Sequence, residues 1–228
     1  MVVGLFTLCN NCSIVPDNFG SGLIIPLVKD KMGDVNSLDY YRGITLIPVV
    51  AKLSELVILE LCSEYLVSDD LQFGFKPSVG CMDASFVFKS VIQYYSDKGG
   101  TVYAASLDIS KAFDKVSHRK LLNILVDTGL PHVLICVISN WYSQLYVAVR
   151  WKGVISTSFH VCSGVQQGST LSLSLFNVFI NLLIVRLRHL GLGCHDGCHF
   201  VGCILYADDI ILLSTSVTGL KTYVEVLL

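Results

Sequence analysis

Two adjacent acids, Asp208 and Asp209, stand inside an apolar run from Cys203 to Leu213, with Cys-Ile-Leu-Tyr-Ala before them and Ile-Ile-Leu-Leu after. Neighbouring carboxylates repel, and burying either ion without a partner costs several kcal/mol. The run therefore cannot pass through a core as one continuous element. The pattern predicts two strands, Cys203 to Tyr206 and Ile210 to Leu213, with Ala207, Asp208 and Asp209 between them. Two explanations of the acids stay open: an exposed hairpin tip, where solvated aspartates are ordinary turn residues, or a site that holds a cation. Side chains alternate across a strand, so the two cannot face the same way in extended chain, and one is expected to be the principal ligand.

A third acid bears on that choice. After the turn signal Gly99-Gly100, Thr101 to Leu107 is rich in β-branched, aromatic and small residues, which predicts a buried strand ending at Asp108. Such a strand belongs in the sheet beside the hairpin, where three carboxylates would gather at adjacent strand ends. Oxygen donors of this kind suit magnesium, which keeps several waters and takes few carboxylates plus substrate phosphates. Two such ions would activate an attacking hydroxyl and stabilise a leaving pyrophosphate.

The rest of the chain sets the frame. At 228 residues, 53% hydrophobic and 15% charged, it can build one substantial core, which excludes disorder. Mean hydropathy of +0.63 raises a membrane reading. The best candidate span, Leu171 to Val185, lies in the uncharged stretch from Gly153 to Val185, but it is short and interrupted by Ser172, Ser174, Asn177 and Asn181, so a buried helix and no membrane partner are expected. Net charge of -2 provides no global basic field for nucleic acid. Met1 to Asn11 has neither a basic start nor a small-residue cleavage site, so the chain is expected to stay inside the cell, in cytoplasm or nucleus. Its nine scattered cysteines read mostly as small buried hydrophobes.

Helices are predicted over Leu46 to Leu66, with Val49, Val50, Leu53, Leu56, Val57 and Leu61 as the apolar stripe, and over Met82 to Tyr95, with Phe86, Val87, Val91 and Tyr94 on one side. Ser117 can cap a helix to about Thr128, stopped by Gly129, and a second helix is expected to follow to Asn140. Strands at Tyr146 to Lys152 and Val154 to Val161 turn at Gly153, and Ser169 to Leu190 reads as a long helix. Strands mixed with helices and hairpins indicate an α+β or α/β domain, and α+β is the class expected here.

Six blocks then recur in a telling order: Ile24-Ile25-Pro26-Leu27-Val28-Lys29; Tyr41-Arg42-Gly43-Ile44-Thr45-Leu46; Leu71-Gln72-Phe73-Gly74-Phe75; Ser106 to His118, containing Asp108-Ile109 and Ala112-Phe113-Asp114; Ser163-Gly164-Val165-Gln166-Gln167-Gly168-Ser169; and Tyr206-Ala207-Asp208-Asp209. Together, over roughly Val15 to Leu213, they resemble the reverse transcriptase domain of retrotransposons without long terminal repeats, the LINE-type, jockey-like group. The resemblance implies a right-hand polymerase: a flank over 1–20, fingers over about 21–100, and a palm over about 101–228 whose sheet carries packed helices. By that reading the thumb is expected to be missing, and no endonuclease region is expected before Met1.

By the same resemblance, Asp108, Asp208 and Asp209 are the catalytic and metal-binding acids, holding two magnesium ions. Lys29 and Arg42 would neutralise a triphosphate, the planar guanidinium being suited to bidentate contact. Phe113, with Ile109 in the same motif, would lie against the nucleotide and exclude a ribose 2′-hydroxyl. Gln167 and Gly168 would pack on the incoming nucleotide and template base. The implied activity is RNA-directed DNA polymerisation, with an RNA template, a DNA primer and dNTP as partners. The alternative is an inactive, truncated or domesticated remnant that at most binds nucleic acid. Leu171-Ser172-Leu173 departs from the family's Leu-Ser-Pro, and Gln166 stands where proline or arginine is common. Zinc at Cys194-His195-Asp196-Gly197-Cys198-His199 with Cys203 is not expected, because the spacing fits no closed four-ligand pattern. Cys9 and Cys12 lack a second pair.

Overall fold

The structure, a computed structural model, describes residues 14–29 and 36–227. Met1 to Asn11 and the Cys9–Cys12 pair lie outside them. Ser21–Val28 (β1) and Tyr41–Leu46 (β2) pair antiparallel. Pro48 precedes the helix Val49–Cys62 (α1), where a missing N–H leaves no bond unmade. The Asp83 carboxylate accepts from the Gly80 N–H at the start of Cys81–Asp97 (α2), and Tyr103–Asp108 (β3) follows. Ser117 Oγ accepts from Lys120 N–H to cap His118–Asp127 (α3), Gly129 ends that turn with positive φ, and Pro131 opens His132–Ser143 (α4). The remaining elements are Tyr146–Trp151 (β4), Val154–Ile155 (β5), Phe159–His160 (β6), Thr170–Leu190 (α5), His195–Asp196 (β7), His199–Phe200 (β8), Cys203–Tyr206 (β9), Asp209–Ser214 (β10) and Val217–Leu227 (α6).

The chain forms two compact units, each from two segments: Met1–Leu66 with Phe113–Phe176, and Val67–Ala112 with Asn177–Leu228. In the first, the sheet runs β2-β1-β4, with β1 parallel to β4, and β5 and β6 both pair with β4. The expected second strand of the β4 hairpin is broken into these two pieces because Ser156 exchanges hydrogen bonds with Val149 through both its backbone and its hydroxyl. Leu121, Leu125, Ile138 and Leu145 are fully buried here.

The predicted stripe of α1 is corrected. Ala51, Ser54, Glu55, Ile58 and Cys62 face inward, whereas Val49, Val50, Leu53, Leu56, Val57 and Leu61 are exposed.

In the second unit the sheet order is β3-β10-β9, all antiparallel. Ile204, Leu205, Ile210 and Leu212 meet Val91 of α2, Ile180, Ile184 and Leu187 of α5, and Tyr223 of α6 in one core. Here too a predicted face moves: Val87, Phe88, Val91 and Tyr95 of α2 pack inward, while Phe86 is 72% exposed and Lys98 Nζ sits over the Tyr94 ring. Both sides of α2 carry aromatics, so periodicity alone does not choose between them. Strand β3 is not the buried strand expected: Tyr103, Ala104, Ser106 and Asp108 are exposed, because it is an edge strand covered on one face only.

α5 is long and apolar enough to cross a membrane by length and composition. Half of its most apolar window is buried, and Asn181 accepts from Asp69 N–H and donates to the Val67 carbonyl.

Candidate active site

The paired acids sit where the central strand of the second unit's sheet begins. Tyr206 pairs with Asp209 around the turn residues Ala207 and Asp208, and Asp209 in turn pairs with Asp108. Directly opposed residues of an antiparallel ladder project from the same face. Tyr206, Asp209 and Asp108 therefore share one face, continued along β3 by Ser106 and Ala104, and all five are exposed. The opposite face, with Leu107, Ala105, Ile210 and Leu212, belongs to the core. The carboxylate-bearing end of the Asp108 face is exposed, while further along it Ile204, Ile211 and Leu213 pack into the core.

Asp208 is not on the strand. It is the second turn residue, half-buried, and its carbonyl accepts from the Ile109 N–H at 3.3 Å. Ile109 itself packs on the core, which ties the end of β3 to the turn. Like charges directly opposite each other destabilise a strand pair by roughly 0.2–1 kcal/mol, so Asp108 and Asp209 call for a counter-charge. The donor set fits a hard, hydrated cation: carboxylate oxygens at least partly open to water, with no thiolate or imidazole among them. Among the described residues, no three His, Cys, Asp or Glu side chains are gathered closely enough to hold a metal ion, Asp108, Asp208 and Asp209 included. The Cys194–His199 segment forms the β7–β8 hairpin, with Cys194 buried and Cys198 exposed.

The other predicted residues lie in the first unit. Lys29 follows β1, is exposed, and donates from Nζ to the Asp39 carbonyl at 2.9 Å. Arg42 is exposed on β2 opposite Leu27. Phe113 is half-buried and stacks on Phe176, with ring centroids 4.5 Å apart at 10°. Its carbonyl accepts from the Val165 N–H, which binds the Phe113 turn to the loop carrying Gln167 and Gly168.

That loop is held from two sides. Thr45 N–H donates to the Gln167 carbonyl at 2.7 Å, and Gly168 has φ +121°, with a hypothetical Cβ only 2.5 Å from Thr45 O. Gly168 is thus required for the approach of the loop to β2. From the other side, Glu55, 2% exposed, accepts from the Thr170 N–H at 2.9 Å at the first turn of α5. Sequence reasoning missed Glu55. Its signal was weak: one acid on a helix whose other face is more apolar.

Burial pushes the Glu55 carboxyl above its ordinary range, opposed by hydrogen bonds from Ser169, Thr170 and Leu171 and by Lys52. A carboxyl raised on folding contributes its stability below its unfolded pKa and loses it as pH rises through the folded value. Glu55→Gln keeps an acceptor for Thr170 without the charge, so its unfolding free energy should not show this decline as pH rises above about 4.5. Glu55→Ala should cost about 1–2 kcal/mol by uncapping the helix. Urea unfolding across that pH range measures both.

Residues 29–228 match the reverse transcriptase (RNA-dependent DNA polymerase) family. The chain belongs to that family. It is 27% identical over 185 residues to the Retrovirus-related Pol polyprotein from type-2 retrotransposable element R2DM of Drosophila melanogaster, covering 81% of this chain and 17% of that protein. It is 34% identical over 122 residues to an R2 element polyprotein of Popillia japonica, covering 51% and 19%. A probable RNA-directed DNA polymerase from transposon BS of Drosophila melanogaster is 28% identical over 207 residues, covering 84% and 22%. These relatives place the chain among reverse transcriptase domains of non-LTR retrotransposons. It spans about a fifth of the length of these curated relatives. Apo telomerase from Candida tropicalis, truncated from its C-terminal domain, shares the fold, with a TM-score of 0.61 at 12% identity, covering 93% of this chain and 47% of that one.

Proposed function

We propose that this chain is the RNA-directed DNA polymerase domain of a mobile element, acting inside the cell, with fingers over about 21–100 and palm over about 101–228. The reaction is attack of a primer 3′-hydroxyl on the α-phosphorus of a dNTP, with release of pyrophosphate. The observation that carries this reading is the register that sets Asp209 opposite Asp108 at the exposed end of the sheet, next to the turn holding Asp208. Two magnesium ions on these acids would lower the pKa of the attacking hydroxyl and neutralise the developing phosphate charge. Asp108 and Asp208 are the principal ligands in this reading, with Asp209 beside them.

Lys29 and Arg42 neutralise the triphosphate, and Ile109, Gln167 and Gly168 contact the nucleotide. Support for a nucleic-acid partner, in this reading an RNA template with a DNA primer, comes from a cavity of about 370 Å³ in the first unit, lined in part by Tyr41, Trp151, Arg150 and Lys152. Its Tyr41 and Trp151 rings meet edge to face at 4.9 Å. Aromatic surfaces beside cationic side chains are what single-stranded nucleic acid uses for stacking and phosphate contact.

Phe113 acts against the sugar. Phe113→Val is expected to relax discrimination against ribonucleotides by roughly 10–100-fold, as a loss of about 1–3 kcal/mol of steric selectivity. The measurement is the ratio of kcat/KM values for dNTP and the matching rNTP on a primed RNA template; an unchanged ratio removes Phe113 from that role.

A further inference from the structure

Ala207, the residue before Asp208, adopts φ +58°, a conformation that favours glycine and that costs an alanine roughly 1–2 kcal/mol. Something must hold it there. The Gln72 side chain, fully buried, does so from both sides of the residue: Oε1 accepts from the Ala207 N–H at 3.0 Å, and Nε2 donates to the Ala207 carbonyl at 3.2 Å. The same Oε1 accepts from Gly74 N–H at 2.8 Å. Two N–H groups facing one end of the amide and a carbonyl facing the other leave only one orientation of the amide that satisfies all three bonds.

The segment carrying Gln72 is itself fixed to the outer edge of β9. Leu205 N–H donates to the Leu71 carbonyl, and Phe73 N–H donates to the Leu205 carbonyl, both at 2.8 Å. Gly74 lies so close that a Cβ would stand 2.3 Å from Ala207 N, and its carbonyl accepts from Asn177 Nδ2 on α5 at 3.0 Å. A chain of hydrogen bonds thus runs from α5 through Gly74 and Gln72 to the turn.

We infer that Gln72 is the positioning residue of the catalytic turn: its amide clamps Ala207 in the left-handed conformation and so sets the direction from which the Asp208 carboxylate meets its cation. The inference rests on Asp208 being a metal ligand. Groups that orient a ligating side chain are typically worth 10–100-fold in metal affinity.

The test is binding of Mn²⁺ alone, followed by electron paramagnetic resonance, to the wild-type chain, Gln72→Met and Gln72→Glu, with amide hydrogen exchange read on the same samples. Gln72→Met removes all three bonds at nearly constant volume; Gln72→Glu keeps an acceptor and is the fallback should the methionine variant not fold. The expected result is at least a roughly 10-fold loss of Mn²⁺ affinity, with faster exchange at Ala207 and unchanged protection at Ile210 and Leu212. Wild-type affinity in a folded variant overturns the inference, and so does loss of protection along the whole of β10, which marks a merely structural role. If the wild type binds Mn²⁺ no better than Asp208→Asn, the assignment of the acids fails and the inference falls with it, a distinct outcome.

Discussion

Asp208→Asn should lower templated dNTP incorporation by roughly 10³-fold or more, equivalent to about 4 kcal/mol of transition-state stabilisation, while leaving the melting temperature at or above that of the parent. The two halves of this expectation have one cause. Asp208 is half-buried at a turn beside Asp108 and Asp209, so its charge opposes its neighbours in the folded chain and is useful only when a cation is shared among them. Asp108→Asn should behave likewise, since it removes the like charge facing Asp209. Extension rates and thermal melts on the same preparations check both halves. A variant that retains the parental rate contradicts the catalytic assignment, and one that loses rate only by unfolding leaves the acids without a chemical role.

The second large effect is structural. Gly168→Ala should destabilise the chain by roughly 3 kcal/mol, combining backbone strain at φ +121° with collision against Thr45 O. For a chain of this size that is a fall in melting temperature of about 6–12 °C. Gly129→Ala provides the comparison: φ there is +77°, but nothing lies within 4 Å of the added methyl, so strain alone applies and about 1 kcal/mol is expected. Equal losses at the two positions would show that the loop does not press on β2 as the structure has it.

Much of the site was legible because it rests on local conflict. Two acids inside an apolar run can be reconciled only by a turn, and the predicted strands on either side of it are β9, with the same bounds, and β10, which extends one residue further at each end. The cap at Ser117 and the stop at Gly129 were legible for the same reason, since each is a short-range backbone requirement. What periodicity missed was the choice of face. On α1 the sequence is more apolar on the side that remains exposed, and the inward side is marked by Glu55, whose partner at the N-terminus of α5 lies 115 residues further along the chain. The same limit hid Gln72, an amide whose partner is 135 residues away. Its only local trace was a polar residue between Leu71 and Phe73. Asn177 and Asn181, four apart in the uncharged part of α5, were the clearer sign, since amides at that spacing line one helix face.

The register of Asp209 against Asp108 also sharpens the reading of the acids. Alternation along one strand correctly separates Asp208 from Asp209, but it does not say which of them faces the third acid. The hairpin settles that, because a two-residue turn leaves Asp209 on the ladder and sets Asp208 in the bend.

The most direct measurement of the central claim is extension of a DNA primer annealed to an RNA template, with dNTPs, as magnesium is titrated. The account predicts incorporation that requires magnesium and is lost in Asp208→Asn. Salt-sensitive binding of the primed template with no magnesium-dependent extension would contradict it, and would identify the chain as a nucleic-acid-binding remnant.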